Sequence, residues 1–194
     1  MIDFELGWRA VPGMFSPVDG TVLQCFAKQL SVGQALVEMG AWCGRSLAAA
    51  CEVLPANVSA YSYDNYLDDS QANEAAPITP AVAQRLRELV AQHYRNGGRD
   101  VRCFVAESAA AGRCYTGPAV GVLLIDDHHS AEQLRADFDA WTPHLAARAA
   151  VLIHDYAHPP YRLVETSEAA LPGRGFVFAG QYSGVGVWLR GKWA

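Results

Sequence analysis

Ala35-Leu36-Val37-Glu38-Met39-Gly40-Ala41-Trp42-Cys43-Gly44-Arg45-Ser46 passes from an apolar run through two closely spaced glycines into an alanine-rich helical stretch. A short run interrupted only by Glu38 and closed by Gly40 reads as a buried strand. Gly40 and Gly44 permit a tight strand-to-helix turn and a close approach of a ligand to the backbone. The same alternation recurs along the chain. Residues 58–63, 101–105, 120–125 and 149–153 are further strand-type runs. The last two are continuously apolar, as in strands covered on both faces. Residues 176–178 and 185–189 form two late runs separated by Gly180, Ser183 and Gly184.

Between these runs lie helix signals. Thr79 before Pro80 reads as an N-cap followed by the first helical residue, and Asn96-Gly97-Gly98 stops that helix. Val82, Leu86, Leu89 and Val90 then define its expected inner face. Ser130 with Gln133 fits a capping box. Ala131, Leu134, Phe138, Trp141 and Leu145 recur at helical spacing, with Pro143 near the end. Residues 45–54, closed by Pro55, and residues 18–30 are two more expected helices. Repeated strand–helix alternation predicts an α/β, Rossmann-like architecture: a mostly parallel seven-stranded sheet with helices on both faces. The short connection between the two late runs predicts a hairpin at one sheet edge and an antiparallel last strand. Residues 66–77, with Asp68, Asp69, Asn73 and Glu74, are polar enough to be a loop covering a site.

Composition bounds the reading. The chain has 194 residues, 51% hydrophobic and 18% charged, and Lys+Arg 15 against Asp+Glu 20 gives 15 − 20 = −5. This is a globular mixture, and the length predicts a single domain over residues 1–194. Residues 1–30 form an N-terminal segment expected to cover substrate or contact a second copy in a homo-oligomer. The acid excess argues against a nucleic-acid partner. Five cysteines without a C-x-x-C pair favour a reducing compartment. No signal-peptide pattern and no apolar run of membrane-spanning length is present, so a cytoplasmic protein with no membrane partner is expected.

In an open parallel sheet, ligands bind beyond the carboxyl ends of the strands. After the successive runs stand Glu38 to Ser46, Asp64-Asn65, Glu107-Ser108, Asp126-Asp127-His128-His129 and His154-Asp155-Tyr156. Four of the six histidines fall in or just after the last two clusters. No phosphate-binding Walker loop is present, and Trp42 takes the place of the middle glycine of a dinucleotide fingerprint. An acid at the end of the second strand suits a ribose diol, whose hydroxyls donate to one carboxylate. The combination points to an adenosine-type cofactor without a pyrophosphate.

The segment 37–46 resembles the first motif of class I S-adenosylmethionine-dependent methyltransferases. With Pro12 to Pro17, Leu124 to Ser130 and Ile153 to Tyr156 it is similar to the branch of small-molecule, macrocin-type natural-product O-methyltransferases. The resemblance implies a methyltransferase acting on a hydroxyl of a sugar or phenolic secondary metabolite. It places Glu38, Gly40, Ala41, Trp42, Gly44 and Ser46 around the methionine part of the cofactor. Asp64 and Asn65 fall at the ribose, Glu107 and Ser108 near the adenine, and Asp126 at the floor of the site. It also implies a divalent metal such as magnesium on Asp126 and Asp155, with His154 as a third ligand. His128 or His129 would be the base, His128 being the one expected to face the site. The family pattern Asp-Gly-Asp-His becomes Asp126-Asp127-His128-His129 here. Two rival readings stand beside this one, the first motivated by that change. One is a methyltransferase-like protein that binds cofactor or metabolite without turnover. The other is a metal-dependent hydrolase or lyase built on Asp126, His128, His154 and Asp155.

Overall fold

The computed structural model describes residues 2–67, 78–127 and 130–193. Helix α1 (Pro17–Ala27) leads into strand β1 (Gln34–Met39), α2 (Arg45–Val53), β2 (Ser59–Asp64), α3 (Pro80–Asn96) and β3 (Val101–Val105). There follow α4 (Ser108–Cys114), β4 (Ala119–Ile125), α5 (Ala131–Trp141), β5 (Leu145–Ile153), α6 (Leu163–Ala170), β6 (Val177–Tyr182) and β7 (Val185–Arg190). The seven strands form one sheet in the order β3-β2-β1-β4-β5-β7-β6. The pairs from β3 to β5 are parallel; β7 runs antiparallel to both β5 and β6. The expected architecture is therefore present, with the antiparallel last strand set between β5 and the edge. Among the described residues, no helix is long and apolar enough to cross a membrane.

The period-two alternation of the central strands divides the core. Leu36, Val122, Leu124, Ala150 and Leu152 point to one face, where they pack with residues of α1, α2 and α3 such as Leu23, Leu47 and Val90. Val37, Met39, Leu123, Ile125, Val151 and Ile153 point to the other, against Leu134, Phe138 and Trp141 of α5. Both faces being dry, residues 120–125 and 149–153 of β4 and β5 read as continuous apolar runs, and 35–39 of β1 is broken only by Glu38. Trp141 is fully buried, and its indole N–H donates to the Ser108 carbonyl at 3.0 Å, so burying the ring leaves no donor unpaired.

Four expectations are corrected. On α3, Val82 and Leu89 are 48% and 50% exposed, and the buried face is Ala83, Arg87, Val90 and Ala91. Arg87 lies inward because its guanidinium donates to the carbonyls of Ser62 and Phe104, so a cation takes a place that apolar periodicity assigns to leucine. Ser130 does cap α5 by accepting from Gln133 N, but the Gln133 side chain turns away to Glu107, Ser108 and Asp137, so no reciprocal box forms. Thr142, Pro143 and His144 make a single 3-10 turn after α5, which frees Leu145 to open β5 instead of prolonging the helix. The N-terminal helix ends at Ala27. It begins with a capping box in which Ser16 Oγ accepts from Asp19 N while Asp19 Oδ2 accepts from Ser16 N.

Candidate functional site

The carboxyl ends of the parallel strands open into a cleft. Its floor comes from the turn after β1, its sides from the ends of β2 and β4, and its roof from the N-terminal segment Pro12 to Phe15. Gly40 has φ +79°, and a side-chain carbon there would lie 2.0 Å from the Asp126 carbonyl oxygen. Only a glycine lets the β1 turn pass so close to the end of β4. Trp42 also takes a left-handed conformation, φ +44°. The turn is fixed by Asp64, whose Oδ2 accepts from Trp42 N at 2.7 Å and whose Oδ1 accepts from Tyr66 N at 2.7 Å. Tyr66 in turn donates its hydroxyl to the Trp42 carbonyl at 3.2 Å.

Of the residues singled out in the sequence, Gly40, Ala41, Trp42, Ser46, Asp64, Asn65, Ser108 and Asp126 line this cleft, together with Asp127 and His154. Four others do not. Gly44 caps the start of α2 against Arg87. Glu107 caps α4, its carboxylate accepting from Ala109 N and Ala110 N. Asp155 stands outside the lining. Glu38 is fully buried behind the turn, where Ser62 donates to it at 2.8 Å. Burial pushes the Glu38 carboxyl up to about 7, against the opposing pull of Ser46, Ser62 and the Arg87 charge. It supports the turn from beneath. His128 and His129 lie outside the described residues.

His154 is the electrostatic centre of the cleft's far wall. Its Nδ1 is 2.8 Å from Asp126 Oδ1 and 3.7 Å from Asp155 Oδ1, and its Nε2 is 3.5 Å from Asp19 Oδ2. Burial alone would lower the imidazole's pKa. The charge and hydrogen bonds of Asp126 and Asp19, with Asp155, overcome it and raise the value to about 11. Asp19 is itself buried, which opposes ionisation. His154, Ser16 and the Gly184 amide outweigh that and hold its carboxyl far below the usual range. The ion pair thus joins α1 and the β6–β7 turn to the ends of β4 and β5.

Asp126, His154 and Asp155, expected to hold a metal, are joined to one another and to Asp19 as an ion-pair cluster. Among the described residues, no group of three or more His, Cys, Asp or Glu is placed to hold a metal ion. Sequence reasoning missed Asp19, although Ser16-Pro17-Val18-Asp19 carries a capping-box signature. It also missed Arg45, which lines the cleft and donates from Nη1 to the Gly13 carbonyl at 2.6 Å, tying the roof to α2. Phe15 lines the cleft, and both it and Trp8 pack into the chain's own core.

A family model for a methyltransferase domain matches residues 37–156. No curated protein matches the chain. Among solved structures it is similar to CalS11, a TDP-rhamnose 3'-O-methyltransferase of calicheamicin biosynthesis. The TM-score is 0.66 and the identity 14%, over 91% of this chain and 81% of that one. A Clostridium thermocellum protein described as an rRNA methylase gives 0.64 and 11%, over 92% and 97%. SMU.1697c from Streptococcus mutans, described as a methyltransferase and solved with S-adenosylhomocysteine (SAH), gives 0.61 and 8%, over 91% and 99%.

Proposed function

Because the chain belongs to the methyltransferase-domain family and is an S-adenosylmethionine-dependent methyltransferase, we propose that it methylates a hydroxyl of a small molecule, a sugar or a phenol. The observation that carries the reading is the glycine turn after β1 held against Asp64 at the mouth of the strand-end cleft. Gly40 lets the turn pack directly against the Asp126 backbone, which sets the floor of the cleft next to the end of β4. Asp64 is fixed by two amides, and its remaining lone pairs suit the two hydroxyls of a ribose. Ala106 and Ser108 border the side where an adenine would lie. The O-methyltransferase among the similar folds and the motif resemblance of residues 37–46 and 124–130 both support oxygen as the acceptor atom.

When bound, S-adenosylmethionine supplies an electrophilic methyl group. The chain's part is to bind, orient and deprotonate. The Trp42–Asp64–Tyr66 contacts hold the cofactor side rigid, and the Asp19–His154–Asp126 pair holds the roof over it. We assign proton removal from the acceptor to His128 or His129, from their place directly after Asp126-Asp127 in the sequence. No step is routed through a metal, since no group of three or more His, Cys, Asp or Glu among the described residues is placed to hold one.

Calorimetry with S-adenosylmethionine and SAH, followed by methyl transfer to a panel of hydroxylated compounds, tests the proposal. Asp64→Ala should weaken SAH binding by about 10–100-fold, the loss of one or two charge-assisted hydrogen bonds. Unchanged affinity in that variant would remove Asp64 from the cofactor site. His128→Ala and His129→Ala should leave SAH affinity intact, and the variant that loses turnover identifies the base.

A further inference from the structure

Arg87 is a cation where packing alone would favour an aliphatic side chain. It is 2% exposed, on the inner face of α3 with Ala83, Val90 and Ala91. Its Nε is buried without a hydrogen-bond partner among the described residues. Taking a guanidinium out of water and leaving one of its donors unmet is costly. A methionine or a leucine at this position would avoid that cost. The groups around Arg87 show what the cation holds.

Two strands aim the guanidinium. Its Nη1 donates to the Ser62 carbonyl of β2 at 3.3 Å, and its Nη2 to the Phe104 carbonyl of β3 at 3.2 Å. Ser62 and Phe104 each stand two residues before a residue of the cleft lining, Asp64 and Ala106. Fixed in this way, the guanidinium carbon lies 5.1 Å from the centre of the Tyr66 ring. A guanidinium over a ring face attracts it, and more strongly away from water. Tyr66 is only 9% exposed. Its hydroxyl donates to the carbonyl of Trp42, the left-handed residue of the turn after β1. The far end of that turn rests on the same residue of α3: a side-chain carbon at Gly44 would lie 3.1 Å from Arg87 Cα. Arg87 itself is not among the described residues that line the cleft.

We propose that Arg87 is a positioning residue for the cofactor turn and acts through Tyr66. The guanidinium, aimed by Ser62 and Phe104, holds the ring, and the ring's hydroxyl holds the Trp42 peptide in its left-handed conformation. This deepens the reading that the turn binds S-adenosylmethionine, and it rests on that reading. Arg87 touches neither cofactor nor acceptor. It orders the turn before the cofactor arrives, which lowers the cost of binding.

Two measurements on the full chain test this. In the ligand-free protein, Arg87→Met should speed hydrogen exchange at the Trp42 amide at least about tenfold more than at Val37, which is buried within β1. A general loss of stability would speed Val37 at least as much, and that result overturns the proposal. In calorimetry with SAH, Tyr66→Phe should weaken binding by about two- to tenfold, the worth of one neutral hydrogen bond. Arg87→Met should weaken it by a similar factor, and the double variant by no more than the larger single effect. Losses that multiply in the double variant overturn the proposal, as does wild-type affinity in Arg87→Met. Arg87→Lys keeps a cation but cannot reach both carbonyls while lying flat on the ring. It carries the same measurements, with the same expected outcomes, if the methionine variant fails to fold. Failure of SAH to bind the wild-type chain overturns the cofactor reading, whereas the exchange comparison still decides whether Arg87 orders the turn.

Discussion

A Gly40→Ala chain is expected to lose several kcal/mol of stability and all measurable affinity for SAH. The added carbon would sit 2.0 Å from Asp126 O, 2.3 Å from Asp126 C and 2.6 Å from Asp127 N, all backbone atoms at the end of β4. No rotamer change relieves such a collision; β1 and β4 must separate. Two terms add here. A side chain at φ +79° brings strain of about 1–2 kcal/mol, and overpacking brings about 1–3 kcal/mol more. Gly33→Ala separates them. Gly33 has nearly the same φ, +85°, with nothing within 4 Å of an added carbon. That variant should show only the backbone strain and keep SAH affinity. Urea denaturation and calorimetry on both chains check the pair, and equal losses in the two would refute the steric argument.

His154→Leu should destabilise the protein by about 3–5 kcal/mol, the usual penalty for breaking a buried ion pair from one side. Asp19 is almost fully buried and would keep only the Ser16 and Gly184 amides as partners. The pH dependence distinguishes this from lost packing. His154 has its folded pKa raised, to about 11. Its contribution is complete below the unfolded value near 6.5 and declines as pH climbs toward 11. Asp19 has its folded pKa depressed, so its contribution is complete above roughly 4 and declines as pH falls below that. The stability difference between the wild-type chain and His154→Leu should therefore be largest between about pH 4 and pH 6.5 and shrink on the alkaline side. Denaturation midpoints at pH 5, 7 and 9 read it directly. A pH-independent difference would mean that His154 is neutral and merely fills space.

The strands were the most readable part of the chain. β4 and the 149–153 part of β5 announce themselves because both sheet faces are covered, β1 is broken only by Glu38, and β2 shows as an alternating run of strand-type residues. β6 is harder to delimit: it is an edge strand whose side chains are mostly exposed, and only its start near Phe176 is apolar in the sequence. Apolar periodicity failed on α3 because Arg87 satisfies carbonyls from two strands, and sequence spacing carries no record of such long-range partners. In the site, the residues found by position after a strand were placed well where the backbone turns into the cleft, as with Gly40, Asp64 and Asp126. Glu38 and Glu107 occupy equally suggestive positions but serve the turn and a helix end. Strand position alone does not say on which side of the backbone a carboxylate emerges. The expected metal set is read differently for another reason. Asp19 is far from His154 in sequence, yet it stands 3.5 Å from the His154 Nε2 and engages that nitrogen from α1.

The place of β7 between β5 and β6 bears on how the chain is made. The parallel strands β1 to β5 emerge from the ribosome in an order that lets each find a neighbour already synthesised or soon to follow. β5 is different: its second edge pairs with Val185–Arg190, which is translated after every other strand of the sheet, in register Ala149↔Arg190 through Ile153↔Gly186. Until then a nascent chain carries an apolar ribbon with one row of backbone donors and acceptors unmet, a template for association with other chains. Slow translation through residues 154–184 would prolong that vulnerable interval, and a holding chaperone would find its target there.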